Sequence, residues 1–156
     1  MNRKTPFQIV LVEPEIPPNT GNVARLCGAT CTPLHLVGKL GFSLDDRYLK
    51  RAGLDYWSEV EVTTWPDLAS LQVANPHSRF VYTSKKADTS HISFSFLEGD
   101  FLVFGKETEG LPDEMIATNQ DTSIRIPILG NVRSLNLSTA AGIVLYEALR
   151  QVGMVK

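Results

Sequence analysis

The chain is poor in the residues that most often announce a chemistry. Its 156 residues hold only two cysteines and three histidines. Cys27 and Cys31 stand four apart on what reads as one helix, a spacing that disulfide geometry rarely tolerates. His35 would extend them to C-x3-C-x3-H, but Pro33 breaks the helix and no fourth ligand stands nearby, so no metal is expected. A reduced, half-buried cysteine pair and a cytoplasmic location are expected instead. No apolar run approaches the roughly 20 residues a membrane helix needs. The opening MNRKTPFQIV lacks an apolar stretch followed by a small-residue cleavage site, so no secretion signal is expected. Net charge is only −2, which excludes a global basic field; a polyanion would have to bind a local patch. No G-x-G-x-x-G follows a strand. Gly105 to Gly110 has phosphate-loop spacing, but Leu-Pro follows where Lys and Ser or Thr are required, which argues against nucleoside triphosphate and dinucleotide sites.

What is present is an ordinary globular composition, 43% apolar and 21% charged, in a length that suits one domain over residues 1–156. Apolar β-branched runs alternate with helical patterns. The runs predict strands at Phe7–Val12, Leu34–Val37, Glu59–Thr63, Phe80–Thr83, Phe101–Phe104 and Ser123–Ile126. Helices are expected at Thr20–Cys31, Trp65–Ala74, Pro112–Thr118 and Ser138–Val152, with a weaker turn at Asp45–Arg51. Gly153 suits a helix stop. Alternation of this kind predicts an α/β fold, a mostly parallel sheet with helices on both faces. Ligands of such sheets sit beyond the carboxyl ends of the strands.

Three of those ends are rich in polar residues. After Val12 comes EPEIPPNTGNVARLC, where Asn19 or Thr20 would cap a helix and Arg25 lies near its start, an arrangement suited to an anion or to a solvated surface. After Phe104 comes GKETEGLPDE. Pro112, Asp113 and Glu114 are ordinary helix-start residues, which leaves Gly105 and Gly110, flanking four polar residues, unexplained. After Ile126 comes GNVRSLNLS. One N-cap is needed, from Asn136 or Ser138, so Arg133 and Ser134 are left without a structural task. Together the three loops favour a ligand pocket.

N-T-G-N-x-x-R, F-G-x-E-x-x-G-L-P and I-P…S-L-N-L-S resemble, in order, the three motifs of the SPOUT methyltransferases. EPEIPPNTGNVARLC and LKRAGLDYW resemble in particular the TrmL (YibK) group, tRNA (cytidine/uridine-2'-O)-methyltransferases acting on the anticodon wobble nucleotide. The resemblance spans essentially the whole chain. It implies a C-terminal trefoil knot, a homodimer and S-adenosylmethionine as cofactor. It assigns the cofactor pocket to Tyr82, Thr83, Gly105, Glu107, Gly110, Ile126, Leu129, Ser134 and Leu135, with Tyr82 departing from the aliphatic residue usual there. It places Asn19, Arg25, Asn136, Ser138 and Tyr146 at the reaction centre.

Family proposals make the first-motif arginine the base. Arginine stays protonated in proteins, with a pKa above about 12, so Arg25 is expected to orient the ribose hydroxyl and stabilise its developing charge. The tRNA anticodon loop needs a basic patch. Arg47, Lys50 and Arg51, with Tyr48, Tyr56 and Trp57 for stacking, and Lys85, Lys86 and Arg133 are the expected contacts.

Overall fold

The computed structural model describes residues 5–45, 47, 49, 51 and 57–156. Of the expected RNA contacts, Lys50, Tyr48 and Tyr56 lie outside these residues.

The elements follow the hydrophobic pattern. In chain order they are β1 (Gln8–Val12), α1 (Pro17–Thr30), β2 (Leu34–Val37), a 3-10 turn (Trp57–Glu59), β3 (Val62–Trp65), α2 (Leu68–Ala74), β4 (Phe80–Thr83), β5 (Thr89–Ser90) and β6 (Phe101–Phe104). Then come α3 (Asp113–Thr118), a second 3-10 turn (Gln120–Thr122), β7 (Ser123–Arg125) and α4 (Leu137–Gln151). The seven strands form one sheet in the order β3-β2-β1-β6-β4-β7-β5, with every pairing parallel. The expected α/β fold is therefore present.

Two-residue alternation along the strands sorts the core into two layers. Ile9, Leu11, Leu34, Leu36, Leu102, Phe104 and Ile124 pack with Val23, Ala24 and Cys27 of α1 and with Ala141, Val144, Leu145, Ala148 and Leu149 of α4. Val10, Val37, Phe80, Tyr82, Phe101 and Val103 pack with Leu71 of α2 and Ile116 of α3. Among the described residues, helices thus cover both faces of the parallel sheet, α1 and α4 on one and α2 and α3 on the other. Leu145 is wholly buried in the first layer, where truncation to alanine costs about 2–5 kcal/mol.

Four elements differ from the sequence expectation, among them α2, which begins at Leu68 and not at Trp65, because Trp65 ends β3 and Asp67 caps the helix. α1 begins at Pro17, with both prolines in its first turn, where the missing N–H is no loss. β3 starts three residues later than expected because Trp57–Glu59 forms a 3-10 turn. Its register is fixed by β2, with Leu34 opposite Val62 and Val37 opposite Trp65. β5 is only two residues long and has no periodicity to reveal it. α4 ends as expected at Gly153, whose φ is +76°. Gly153 N donates to Arg150 O and Met154 N to Leu149 O, the paired bonds that close a helix at a left-handed residue.

From β1 the chain winds to β2 and β3 on one side, then crosses to β4, β6, β7 and β5 on the other. The reversal at β1 is where ligands settle in open α/β sheets. The three polar loops leave from β1, β6 and β7, with β4 between the last two.

Candidate active site

Glu107 joins the first loop to the second. Its carboxylate accepts the backbone N–H groups of Glu15 (2.8 Å) and Ile16 (3.1 Å) and the side-chain amide of Asn19 (3.4 Å). Ile16, at the N-cap of α1, makes no side-chain cap bond. The side-chain cap expected from Asn19 or Thr20 is not made: Pro17 and Pro18 bring no N–H to the first turn, and a carboxylate from a loop about ninety residues later receives the N–H groups just before it. The clasp is reciprocal: Glu15 Oε1 accepts from Thr108 N (3.1 Å) and Thr108 Oγ1 (2.7 Å). Those two bonds hold the Glu15 carboxyl below its usual range. The first loop turns sharply at Glu13, whose φ of +51° is left-handed, a conformation that tertiary contacts must enforce. Here Glu13 N donates to Val37 O at 2.7 Å.

The two glycines flanking Lys-Glu-Thr-Glu now have a task. Lys106 and Gly110 form an antiparallel bridge, folding the loop back on itself. A Cβ at Gly105 would stand 2.1 Å from the carbonyl carbon of Gly110, and Gly110 has φ +67°. One glycine permits close backbone approach and the other a left-handed turn. The hook aims Glu107 and Thr108 at the first loop.

The third loop joins through Asn136, the N-cap of α4. Its Oδ1 accepts from Ser138 N (2.9 Å), Thr139 N (3.3 Å) and Ser138 Oγ (2.6 Å), and its Nδ2 donates to Asn19 Oδ1 (2.9 Å). Between the two expected caps, the structure selects Asn136. A continuous chain therefore runs from Glu107 through Asn19 and Asn136 to Ser138. Asn19 is buried, whereas Asn136 is exposed and Ser138 partly so.

The remaining residues expected at the reaction centre lie on the same two helices. Arg25 is exposed on α1 and Tyr146 is exposed on α4. Residues 129–134, including Arg133 and Ser134, are exposed, Leu129 completely so. Ile126 and Leu135, at the two ends of this segment, are half-buried.

β4 contributes two neighbours with opposite environments. Tyr82 faces the α2–α3 layer, where its hydroxyl accepts from Gln72 Nε2 at 3.0 Å and burial raises the phenol above its ordinary range. Thr83 pairs in register with Ile124 of β7. Its hydroxyl oxygen is buried and has no hydrogen-bond partner among the described residues. A buried polar atom left unpaired at a strand's carboxyl end is a place where a ligand atom would be stabilising.

A cleft of about 660 Å3 opens elsewhere, between the ends of β1 and β2 and the loop before α3. It includes Gly110 but no residue of the third loop. The candidate site rests on the convergence of the three loops, not on that cleft.

Among the expected RNA contacts, Arg47, Arg51 and Lys85 are exposed. Lys86 is exposed and paired with Asp113 at 2.6 Å, and Trp57 packs against the α1–α4 core layer. Cys27 is buried and Cys31 exposed, both as free thiols, and burial pushes the Cys27 thiol up.

A family model described as the SpoU rRNA Methylase family matches residues 6–146. The tRNA (cytidine(34)-2'-O)-methyltransferase of Escherichia coli (strain K12) is 48% identical over 149 residues, covering 94% of each chain. A solved structure described as "Structural insights into the 2-OH methylation of C/U34 on tRNA" superposes with a TM-score of 0.90 at 43% identity, over 96% of this chain and 97% of that one. The SpoU methyltransferase AviRb from Streptomyces viridochromogenes, solved in complex with the cofactor AdoMet, superposes with a TM-score of 0.83 at 25% identity, over 98% of this chain and 63% of its own.

Proposed function

The chain belongs to the SpoU rRNA methylase family, and from that premise we propose that it methylates the ribose 2'-hydroxyl of nucleotide 34, cytidine or modified uridine, in the anticodon loop of tRNA, with S-adenosylmethionine as donor. The observation that carries the reading is the hydrogen-bonded chain Glu107–Asn19–Asn136–Ser138, which gathers the three motifs into one site. The 48% identical Escherichia coli relative bears the name of that activity.

The residues present fit the cofactor. Thr83 offers an unpaired buried hydroxyl, and the exposed segment 129–134 can close over a bound molecule. Thr83, Gly105, Ile126, Leu129, Ser134 and Leu135 would hold it, with Glu107 and Gly110 shaping the hook and Tyr82 backing β4. When bound, S-adenosylmethionine supplies an electrophilic methyl: the ribose oxygen gains the O–C bond, the S–C bond breaks, and sulfur keeps that electron pair. The protein's part is alignment and charge. Asn19, Asn136 and Ser138 position the nucleotide, while Arg25 orients the hydroxyl and stabilises its developing negative charge. Tyr146 lies about two turns farther along α4.

In this reading the protein is a cytoplasmic homodimer of single-domain subunits, each with a C-terminal trefoil knot. Among the described residues, no helix is long and apolar enough to cross a membrane. Val132 is 63% and Tyr146 46% exposed, apolar surface near the site that a second copy would cover. Arg47, Lys50, Arg51, Lys85, Lys86 and Arg133 meet the RNA.

Tritiated cofactor with bulk tRNA, followed by mapping of the labelled nucleotide, tests the proposal. Label at position 34 is expected. Ribosomal RNA is the second reading, favoured by the family's description, and label found only there would replace the tRNA reading. Label in neither RNA would overturn both.

A further inference from the structure

We propose that Glu107, Asn19 and Asn136 form a one-way hydrogen-bond relay that presents Ser138 Oγ as the acceptor for the ribose 2'-hydroxyl. The inference rests on the reading above and assigns roles within that site.

Direction follows from the two ends. A carboxylate only accepts and a backbone N–H only donates, whereas each side-chain amide has one face of each kind. Asn136 Oδ1 must face Ser138 N and Thr139 N, which can only donate. Its Nδ2 therefore points at Asn19, whose Oδ1 must receive it. Asn19 Nδ2 is then left facing Glu107, which can only accept. Every link has one donor and one acceptor, so rotating either amide sets donor against donor or acceptor against acceptor, and at Asn19 that conflict is buried.

The consequence appears at Ser138. Its hydroxyl lies 2.6 Å from Asn136 Oδ1, an atom that can only accept, so the serine hydrogen is committed there. What remains on Ser138 Oγ is lone pairs. A partner at that atom must be a donor: a ribose hydroxyl qualifies, and a phosphate oxygen or a base carbonyl does not. Held this way, the substrate hydroxyl directs its hydrogen to Ser138 and a lone pair elsewhere, free to attack. Once the O–C bond has formed, the oxygen carries a positive charge and its now acidic hydrogen leaves Ser138 Oγ for solvent water, while the serine keeps its own hydrogen on Asn136 Oδ1. Ser138 is thus a catalytic residue beside Arg25, and Asn136, Asn19 and Glu107 are positioning residues.

Ser138→Ala should lower kcat roughly 10- to 100-fold, the worth of one hydrogen bond to a group gaining charge. KM for tRNA and affinity for S-adenosylmethionine should stay within about threefold, and Ser138→Thr should restore most of the rate. Asn136→Asp keeps an acceptor at the start of α4 but places acceptor-only groups on both sides of Asn19. Glu107→Gln supplies a donor at the other end. In the double variant the relay can run in reverse, from the new amide at position 107 through Asn19 to the new carboxylate at position 136. The Ile16 N–H bond to Oε1 is lost in the double variant and in Glu107→Gln alike. Asn136→Asp alone should lose about tenfold in kcat, and the double variant should recover to the level of Glu107→Gln alone, a coupling that independent sites do not show. A wild-type kcat in Ser138→Ala, or single losses that simply multiply in the double variant, would overturn the proposal. The same cycle read by thermal unfolding without cofactor tests the relay even if the wild-type protein methylates no RNA, so the two failures are separable.

Discussion

Asn136 donates to Asn19 across 117 residues of chain, Nδ2 to Oδ1 at 2.9 Å, and this single bond ties the first turn of α4 to the first turn of α1. One side chain therefore has two duties, capping its own helix and docking it on another.

The duties can be separated. Asn136→Ala removes both and should lower stability by about 1–2 kcal/mol. Asn136→Ser restores a capping oxygen but is too short to carry the amide donor. It should melt close to wild type while methyl transfer stays depressed, by roughly tenfold for a lost positioning hydrogen bond. Full activity in the serine variant would mean that the bond to Asn19 is dispensable.

Such long-range duties are what the sequence hides. Strands Leu34–Val37, Phe80–Thr83 and Phe101–Phe104 were legible to the residue, because continuous apolar runs bounded by turn residues leave little choice for a strand buried on both faces. The identities of the site residues were legible as polar excess at three strand ends. Their partners were not. The spacing of EPEIPPNT suggests a local cap, and the carboxylate actually used lies in the loop after β6. The β3 boundary was missed for a related reason: Trp65 Nε1 donates to His35 Nδ1 at 2.9 Å, and pairing with β2 overrides the local pattern. The two-residue β5 carries no periodic signal at all.

The motif marks Gly105 as a cofactor contact, and the hook gives it a structural task as well. With Gly110 C only 2.1 Å from a built Cβ, Gly105→Ala forces the hook apart. Overpacking against backbone should cost about 1–3 kcal/mol and loosen the Glu107 clasp. Gly110→Ala meets no atom within 4 Å and bears only the left-handed penalty, about 1–2 kcal/mol. Urea unfolding should show the alanine at 105 reducing methyl transfer together with stability, and the one at 110 reducing stability more than turnover. A fold-neutral Gly105→Ala would remove the structural role.

His35 makes stability depend on pH. Trp65 Nε1 can only donate, so His35 Nδ1 accepts; Nε2 then carries the hydrogen and donates to Gln8 Oε1 at 2.5 Å. This tautomer is neutral, and protonating Nδ1 would set two donors against each other. Burial lowers the pKa, partly opposed by the Glu61 charge. A depressed histidine pKa means that the unfolded chain binds the proton first. Stability is therefore full above the unfolded value of about 6.5 and declines as pH falls below it, until the folded pKa is passed. The carboxylates held low, Glu15, Asp67 and Glu147, act only at more acidic pH. Urea midpoints between about pH 5.5 and 7 should fall with acidity in the wild type and flatten in His35→Gln. An equal slope in both would assign the effect to another group.

Thr83 offers the sharpest test of where the cofactor lies. Its Oγ1 is buried and unpaired, at the end of β4 where Ser84 N donates to Ile124 O at 2.9 Å. An unsatisfied buried hydroxyl destabilises the free protein, so Thr83→Val, which keeps the shape and deletes the polar atom, should raise stability by about 1 kcal/mol. If that hydroxyl pairs with the cofactor, the same substitution should weaken S-adenosylmethionine binding by about tenfold, since 1.4 kcal/mol is one decade in affinity. Stability and affinity then move in opposite directions, which a general loosening of the fold cannot produce. Urea unfolding of the free protein and calorimetry with S-adenosylmethionine measure the two separately. A valine variant that binds the cofactor as tightly as the wild type would move the pocket away from β4, and one that is less stable would show that the hydroxyl already has a partner within the chain.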